Sequence, residues 1–154
     1  MPGIEIPDAE SSKGLLPWSW AVERLTSAHN YWLATTREDG RPHVMPVWGV
    51  WLDGAFLFST GGESRKARNL AVNPNCVVCP ERGDEAVIVE GVAERVTDTD
   101  VIERFSALYK TKYDWEIDES LGPIYAVQPR TAFAFIESGD DFYNTATRWK
   151  FSDD

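Results

Sequence analysis

The sequence predicts a mainly β chain curled into a closed antiparallel barrel, with two or three short helices beside it. Three observations carry this. About six strand-like segments follow in hairpin order, joined by turn sequences such as Glu38-Asp39-Gly40, Asp53-Gly54 and Glu81-Arg82-Gly83-Asp84. One segment, residues 42–52 (PHVMPVWGVWL), is apolar on both faces, as a covered barrel wall that also contributes to an interface would be. Gly91 stands in the middle of another, residues 86–96 (AVIVEGVAERV), where small barrels bend their strands. A chain of 154 residues, 43% hydrophobic and 26% charged, suits one soluble domain around a single core.

The elements read in order as follows. Residues 1–17, with three prolines and little pattern, form a loose arm, and the domain proper spans 18–154. Residues 18–27 (WSWAVERLTS) form an amphipathic helix with Trp18, Val22 and Leu25 on one face. Strands follow at 30–36 and 42–52. In the latter, Pro46 lacks an N–H and Gly49 a side chain, so a bulge or a close ligand approach is expected there. A third strand at 55–60 leads into a helix at 63–72, which Asn73-Pro74 ends. Strands at 75–80 and 86–96 precede a helix at 99–113, capped by Asp98 and with an apolar stripe of Val101, Phe105 and Leu108. Residues 114–122 are a polar connection. Two further strands, 125–128 and 131–136, are separated by Pro129. The tail, 140–154, carries Phe142, Tyr143, Trp149 and Phe151, too many aromatics to stay in water, and is expected to dock on the barrel.

The charge balance narrows the function classes. A net charge of −10 disfavours a generic nucleic-acid binder, because nothing offsets phosphate repulsion over a broad surface. No apolar run approaches a membrane span and no secretory leader is evident, so a cytoplasmic protein with no membrane partner is expected. The two cysteines, Cys76 and Cys79, lie three apart in a β-branched segment. They point to opposite faces of a strand and read as reduced core or surface thiols rather than as a disulfide or metal pair.

Against that acidic background, residues 56–70 (FLFSTGGESRKARNL) stand out. An apolar strand ends in two hydroxyls, Ser59 and Thr60; Gly61 and Gly62 follow; a helix opens with Ser64, Arg65 and Lys66. Free backbone N–H groups at a helix start together with two adjacent cations make an anion site. Cations in a first helical turn oppose the helix dipole, so a merely solvated face explains them poorly. The segment reads as the phosphate grip of a phosphorylated cofactor.

The order of these segments resembles the pyridoxamine 5′-phosphate oxidase-like flavin-binding split barrels. The residues that carry the resemblance are the DG-type turns, FSTGGESRKARNL, and the stretch Val89 to Glu94 (VEGVAE). The ending Thr147-Arg148-Trp149-Lys150-Phe151 resembles the tail of the actinobacterial flavin/deazaflavin oxidoreductase branch. The resemblance implies a six-stranded antiparallel split barrel that forms a homodimer, with two cofactor grooves between the subunits. It places Arg65 and Lys66 on the cofactor phosphate, with Ser64 beside them. Ser59 and Thr60 fall just before the loop that contacts phosphate or ribityl oxygens, and Met45, Pro46, Val47 and Trp48 lie along the flavin ring. The strand 44–48 carries no cation, whereas pyridoxamine phosphate oxidases proper place Arg and Lys along it. Their C-terminal substrate-binding segment is not evident either. The resemblance therefore implies a flavin or deazaflavin oxidoreductase rather than an oxidase of pyridoxamine phosphate.

No acid–base constellation is evident, and no catalytic side chain is assigned: a flavin-type ring carries hydride chemistry while the protein supplies position and polarity. His29 reads as a helix-end or surface residue. His43 either touches a ligand, with haem ligation among the options, or sits at a surface or interface. Trp149 either stacks on the cofactor ring or plugs the barrel end. The resemblance implies the deazaflavin coenzyme F-420 or FMN as cofactor and a small conjugated molecule as substrate. The alternative is a protein that carries the cofactor without turning it over.

Overall fold

Two long strands form the frame on which everything else hangs. The computed structural model describes residues 4–5, 15–117, 122–138 and 144–151. In chain order the elements are β1 (Ile4–Glu5), α1 (Trp18–Ser27), β2 (Tyr31–Thr36), β3 (Pro42–Val47), β4 (Val50–Leu52), β5 (Ala55–Ser59), α2 (Arg65–Val72), β6 (Asn75–Pro80), β7 (Glu85–Arg95), α3 (Thr99–Tyr113), β8 (Ile124–Ile136) and β9 (Thr147–Phe151). The sheet runs β1-β9-β8-β7-β6-β2-β3, and the β4–β5 hairpin joins it through β5 on β8. All pairs are antiparallel.

β7 and β8 pair from Glu85↔Ile136 to Arg95↔Tyr125. One end of β8 also pairs with β5 (Ser59↔Ile124 to Phe56↔Val127), and the other with β9 (Ala134↔Thr147 to Thr131↔Lys150). The same edge of β8 thus serves two different neighbours, and the sheet curls into a split barrel. The bend lies at a register shift between Glu90 and Gly91. A Cβ on Gly91 would run into the Gln128 carbonyl and the Val127 side chain, so only glycine allows the strands this close.

Two of the expected strands need correction. β8 is one strand across Pro129, not two. Pro129 sits opposite Gly91 at the bulge, where the ladder is already interrupted, so its missing N–H forfeits little. The expected strand 42–52 is in turn two strands, β3 and β4, broken at Trp48-Gly49. Gly49 lies against the Phe56 ring and the Leu57 carbonyl, leaving no room for a side chain. Its N–H and C=O are both claimed by groups on α3 instead of a neighbouring strand.

The main core lies inside the curl: Tyr31, Leu33, Phe56, Phe58, Val78, Val87, Val89 and Val127, closed at one end by Ala21 and Leu25 of α1. Trp18 meets Trp149 and Phe151 edge-on at 5.0 and 4.9 Å, and Trp51 at 6.1 Å. The tail therefore docks as expected through β9, and Phe142 and Tyr143 lie outside the described residues. A satellite core of Leu52, Leu57, Ile124 and Ala126 packs against Phe105 of α3. The α3 stripe also differs from expectation. Leu108 is exposed, and Tyr109 and Tyr113 continue the face from Phe105 at steps of four. Of the arm, Ile4 and Glu5 pair with Phe151 and Lys150.

Candidate functional site

The geometry starts from β3, the open edge of the sheet. Among the described residues its only strand partner is β2, with His43, Met45 and Val47 opposite Thr35, Leu33 and Tyr31 on the barrel side. Val44 and Pro46 lie opposite Ala34 and Trp32 on the other face. Trp32, Val44, Met45 and Trp48 are all exposed, an unusual density of large apolar groups on one edge.

Next comes the turn from β5 into α2. The Thr60 N–H donates to the Pro123 carbonyl (3.2 Å), and the Thr60 and Ser64 hydroxyls lie 3.0 Å apart. Ser64 Oγ accepts from the Ala67 N–H (3.1 Å), so this serine is the N-cap and starts the helix at Arg65. The N–H groups of Arg65 and Lys66 then fall in the first turn, where no intrahelical acceptor exists for them. One turn on, the buried Asn69 donates to Thr35 Oγ1 (3.0 Å) and clamps α2 onto β2. Lys66 lies three residues before Asn69, on nearly the same face, and is half-buried over the sheet edge, while Arg65 and Arg68 are exposed.

These pieces enclose a groove of ≈370 Å³ lined by Asn30, Pro46, Val47, Trp48, Ser59, Thr60, Lys66 and Tyr109. Six residues expected from the sequence thus come together: Pro46, Val47, Trp48, Ser59, Thr60 and Lys66. Ser64 and Arg65 flank them at the helix start, and Met45 is the preceding residue of β3. Trp149 is not brought here. It is buried in the barrel core against Trp18, which is the plugging alternative.

Asn30 and Tyr109 line the groove without having been expected, and Tyr113 and Lys112 support it. The Trp48 ring lies flat on Tyr113 (centroids 4.5 Å apart, planes 5° apart), and its Nε1 donates to Asn30 Oδ1 (3.1 Å). The Tyr113 hydroxyl accepts from the Gly49 N–H (3.0 Å) and lies 2.8 Å from the His29 carbonyl oxygen, an acceptor for its own proton. Lys112 Nζ donates to the Gly49 carbonyl (3.0 Å) and to the Tyr31 hydroxyl (2.7 Å). Burial holds the Lys112 ammonium down at about 8 and pushes the Tyr113 phenol up to about 12. The only sequence signal for this support was the Tyr109–Tyr113 spacing of four on α3.

Electrostatically the helix end is one-sided. Among the described residues, Arg37, Arg65 and Lys66 form no ion pair, in a chain with 25 acidic and 15 basic side chains. Partial burial, then Arg37, Lys66 and Arg65 in turn, hold His43 below the ordinary imidazole value. Three unpaired cations, two free helix N–H groups and a neighbouring imidazole fit a phosphate.

The family model for pyridoxamine 5′-phosphate oxidase matches residues 21–137. This chain belongs to that family. A pyridoxine/pyridoxamine 5′-phosphate oxidase of Leptospira interrogans is 36% identical over 103 residues, covering 61% of this chain and 47% of the relative. The chain thus spans about half the length of the curated relatives it matches. Among solved structures, conserved hypothetical protein Rv2991 from Mycobacterium tuberculosis superposes with a TM-score of 0.71 at 22% identity, covering 82% of this chain and 88% of the other. A structure described as F420 reductase gives a TM-score of 0.58 at 25% identity, covering 71% and 93%. The split-barrel fold expected from the sequence is the fold observed. Among the described residues, no helix is long and apolar enough to cross a membrane.

Proposed function

We propose that the groove between β3 and the start of α2 holds a phosphorylated flavin-type cofactor, and that the protein is an oxidoreductase acting on a small conjugated substrate. The observation that carries this reading is the groove itself. Its Lys66, Ser59 and Thr60 end is polar and cationic, and its Pro46, Val47 and Trp48 wall is flat and apolar. Arg65 and Lys66 neutralise the phosphate, and the first-turn N–H groups of α2 donate to it. Met45 to Trp48 lie along the ring, with Trp48 held in plane by Tyr113 and Asn30. Such a cofactor, when bound, supplies hydride transfer, and the chain supplies position and the exclusion of water.

Of FMN and the deazaflavin coenzyme F-420, the second is favoured. Its phosphate continues into a carboxylate tail, and Arg37, which acts on His43 together with Lys66 and Arg65, forms no ion pair among the described residues. The likeness to a structure described as F420 reductase supports the same choice. The exposed face of Trp32, Val44 and Pro46 continues the groove wall, and a second copy of the chain covers it in a homodimer that closes the groove. Mass spectrometry of small molecules released on denaturing the purified protein tests the reading. FMN or F-420 in the released fraction supports it. A colourless protein that binds neither in a fluorescence titration refutes it.

A further inference from the structure

His43 is placed by two neighbours. On β3 it pairs with Thr35 of β2, and Thr35 accepts the hydrogen bond that pins α2 through Asn69. The imidazole therefore lies beneath the same helix whose first turn carries Arg65 and Lys66. Its Nδ1 is buried and has no hydrogen-bond partner among the described residues. A buried polar atom left unpaired costs stability unless something else fills its place. The charges that act on the ring are Arg37 from the β2–β3 turn and Lys66 and Arg65 from α2, all positive. Thr35 opposite is uncharged, and β3 has no other titratable residue. The charged side chains that act on the ring are all donors, and none of them is an acid.

We propose that His43 is a proton-dependent member of the anion site. The ring is neutral while the site is empty, and it takes one proton from solvent when an anion settles among Arg37, Arg65 and Lys66. The proton goes to the imidazole, and the ring then donates from both nitrogens, one of them to the anion. This inference rests on the anion-site reading above and adds to it a titrating residue and a direction of pH dependence.

The sign follows from charge. In the empty site burial first, and then Arg37, Lys66 and Arg65, disfavour imidazolium, in line with the depressed titration of His43. A bound anion cancels them and attracts the proton, so His43 titrates higher in the complex. Between the two values binding carries proton uptake, and affinity rises as pH falls. Above the higher value His43 stays neutral and its contribution is lost.

Inorganic sulfate is the probe, because its own charge does not change between about pH 5 and 9. Calorimetric titration of the purified full chain should show sulfate binding roughly tenfold tighter at about pH 5.5 than at about pH 8, the worth of one charge-assisted hydrogen bond. His43→Gln, which keeps a donor but cannot titrate, should bind with a flat profile. In proton NMR the His43 ring should titrate at higher pH once sulfate is added, with His29, the chain's other histidine, as internal reference. If wild type and His43→Gln share one pH profile while Arg65→Ala with Lys66→Ala abolishes binding, this inference fails and the anion site stands. If sulfate binds at no pH, or the double variant binds it as wild type does, both fall together.

Discussion

At the scale of single residues, Arg65 and Lys66 carry the cofactor assignment. Both are held at the start of α2 by the Ser64 cap, and neither pairs with an acid among the described residues. Replacing both with alanine should weaken FMN or F-420 binding by tenfold to a hundredfold per lost contact, about 1.5–3 kcal/mol each, in a fluorescence titration. The melting temperature of the cofactor-free protein should barely change, because no internal interaction is lost. Tyr113 has the opposite profile. Tyr113→Phe leaves the buried Gly49 N–H without its acceptor and should cost about 1–3 kcal/mol in urea unfolding. Lys112 gives a pH signature. Its folded value is depressed to about 8 by burial, so between about pH 8 and 10 the unfolded chain binds more protons than the folded one. Stability gained from this residue therefore rises with pH across that window. The rise should be absent in Lys112→Met, measured as the difference between the two unfolding curves.

At the scale of elements, the tail strand β9 and the wall strand β3 separate folding from binding. Trp149 is buried against Trp18, and Trp149→Ala should destabilise the protein by about 3–5 kcal/mol while the folded fraction keeps its cofactor affinity. Trp48→Ala should instead lower cofactor affinity in the folded protein, through a ring that lines the groove. The two assignments differ in legibility for the same reason. The turn into α2 was readable because its cap, its glycines and its cations all lie within a dozen residues. The break at Trp48-Gly49 was not, because the groups that claim Gly49 are Tyr113 and Lys112, more than sixty positions away. Likewise Pro129 marks a strand end by local rules, and only the bulge at Gly91 across the ladder makes it harmless. Trp149 was read with two fates open, and what decided between them was Trp18 at the far end of the chain.

At the scale of the whole molecule, the open edge of the sheet asks for a partner. Trp32 and Val44 remain 46% and 51% exposed although they sit on paired central positions of β2 and β3. In the proposed homodimer a second copy covers this face and walls the groove, so assembly and cofactor binding should be lost together. Val44→Asp should turn a dimer into a monomer in sedimentation equilibrium, with cofactor retention falling in the same sample. A wild-type monomer at micromolar concentration would argue against the paired arrangement. The central claim, that the start of α2 grips the phosphate of a flavin-type cofactor, is tested most directly by titrating the cofactor-free protein with F-420, FMN and riboflavin, which is FMN without its phosphate. The account predicts that F-420 or FMN binds at least about tenfold more tightly than riboflavin, and that the Arg65→Ala, Lys66→Ala protein loses this preference. Riboflavin binding as well as the phosphorylated cofactors, or a preference that survives both substitutions, would contradict it.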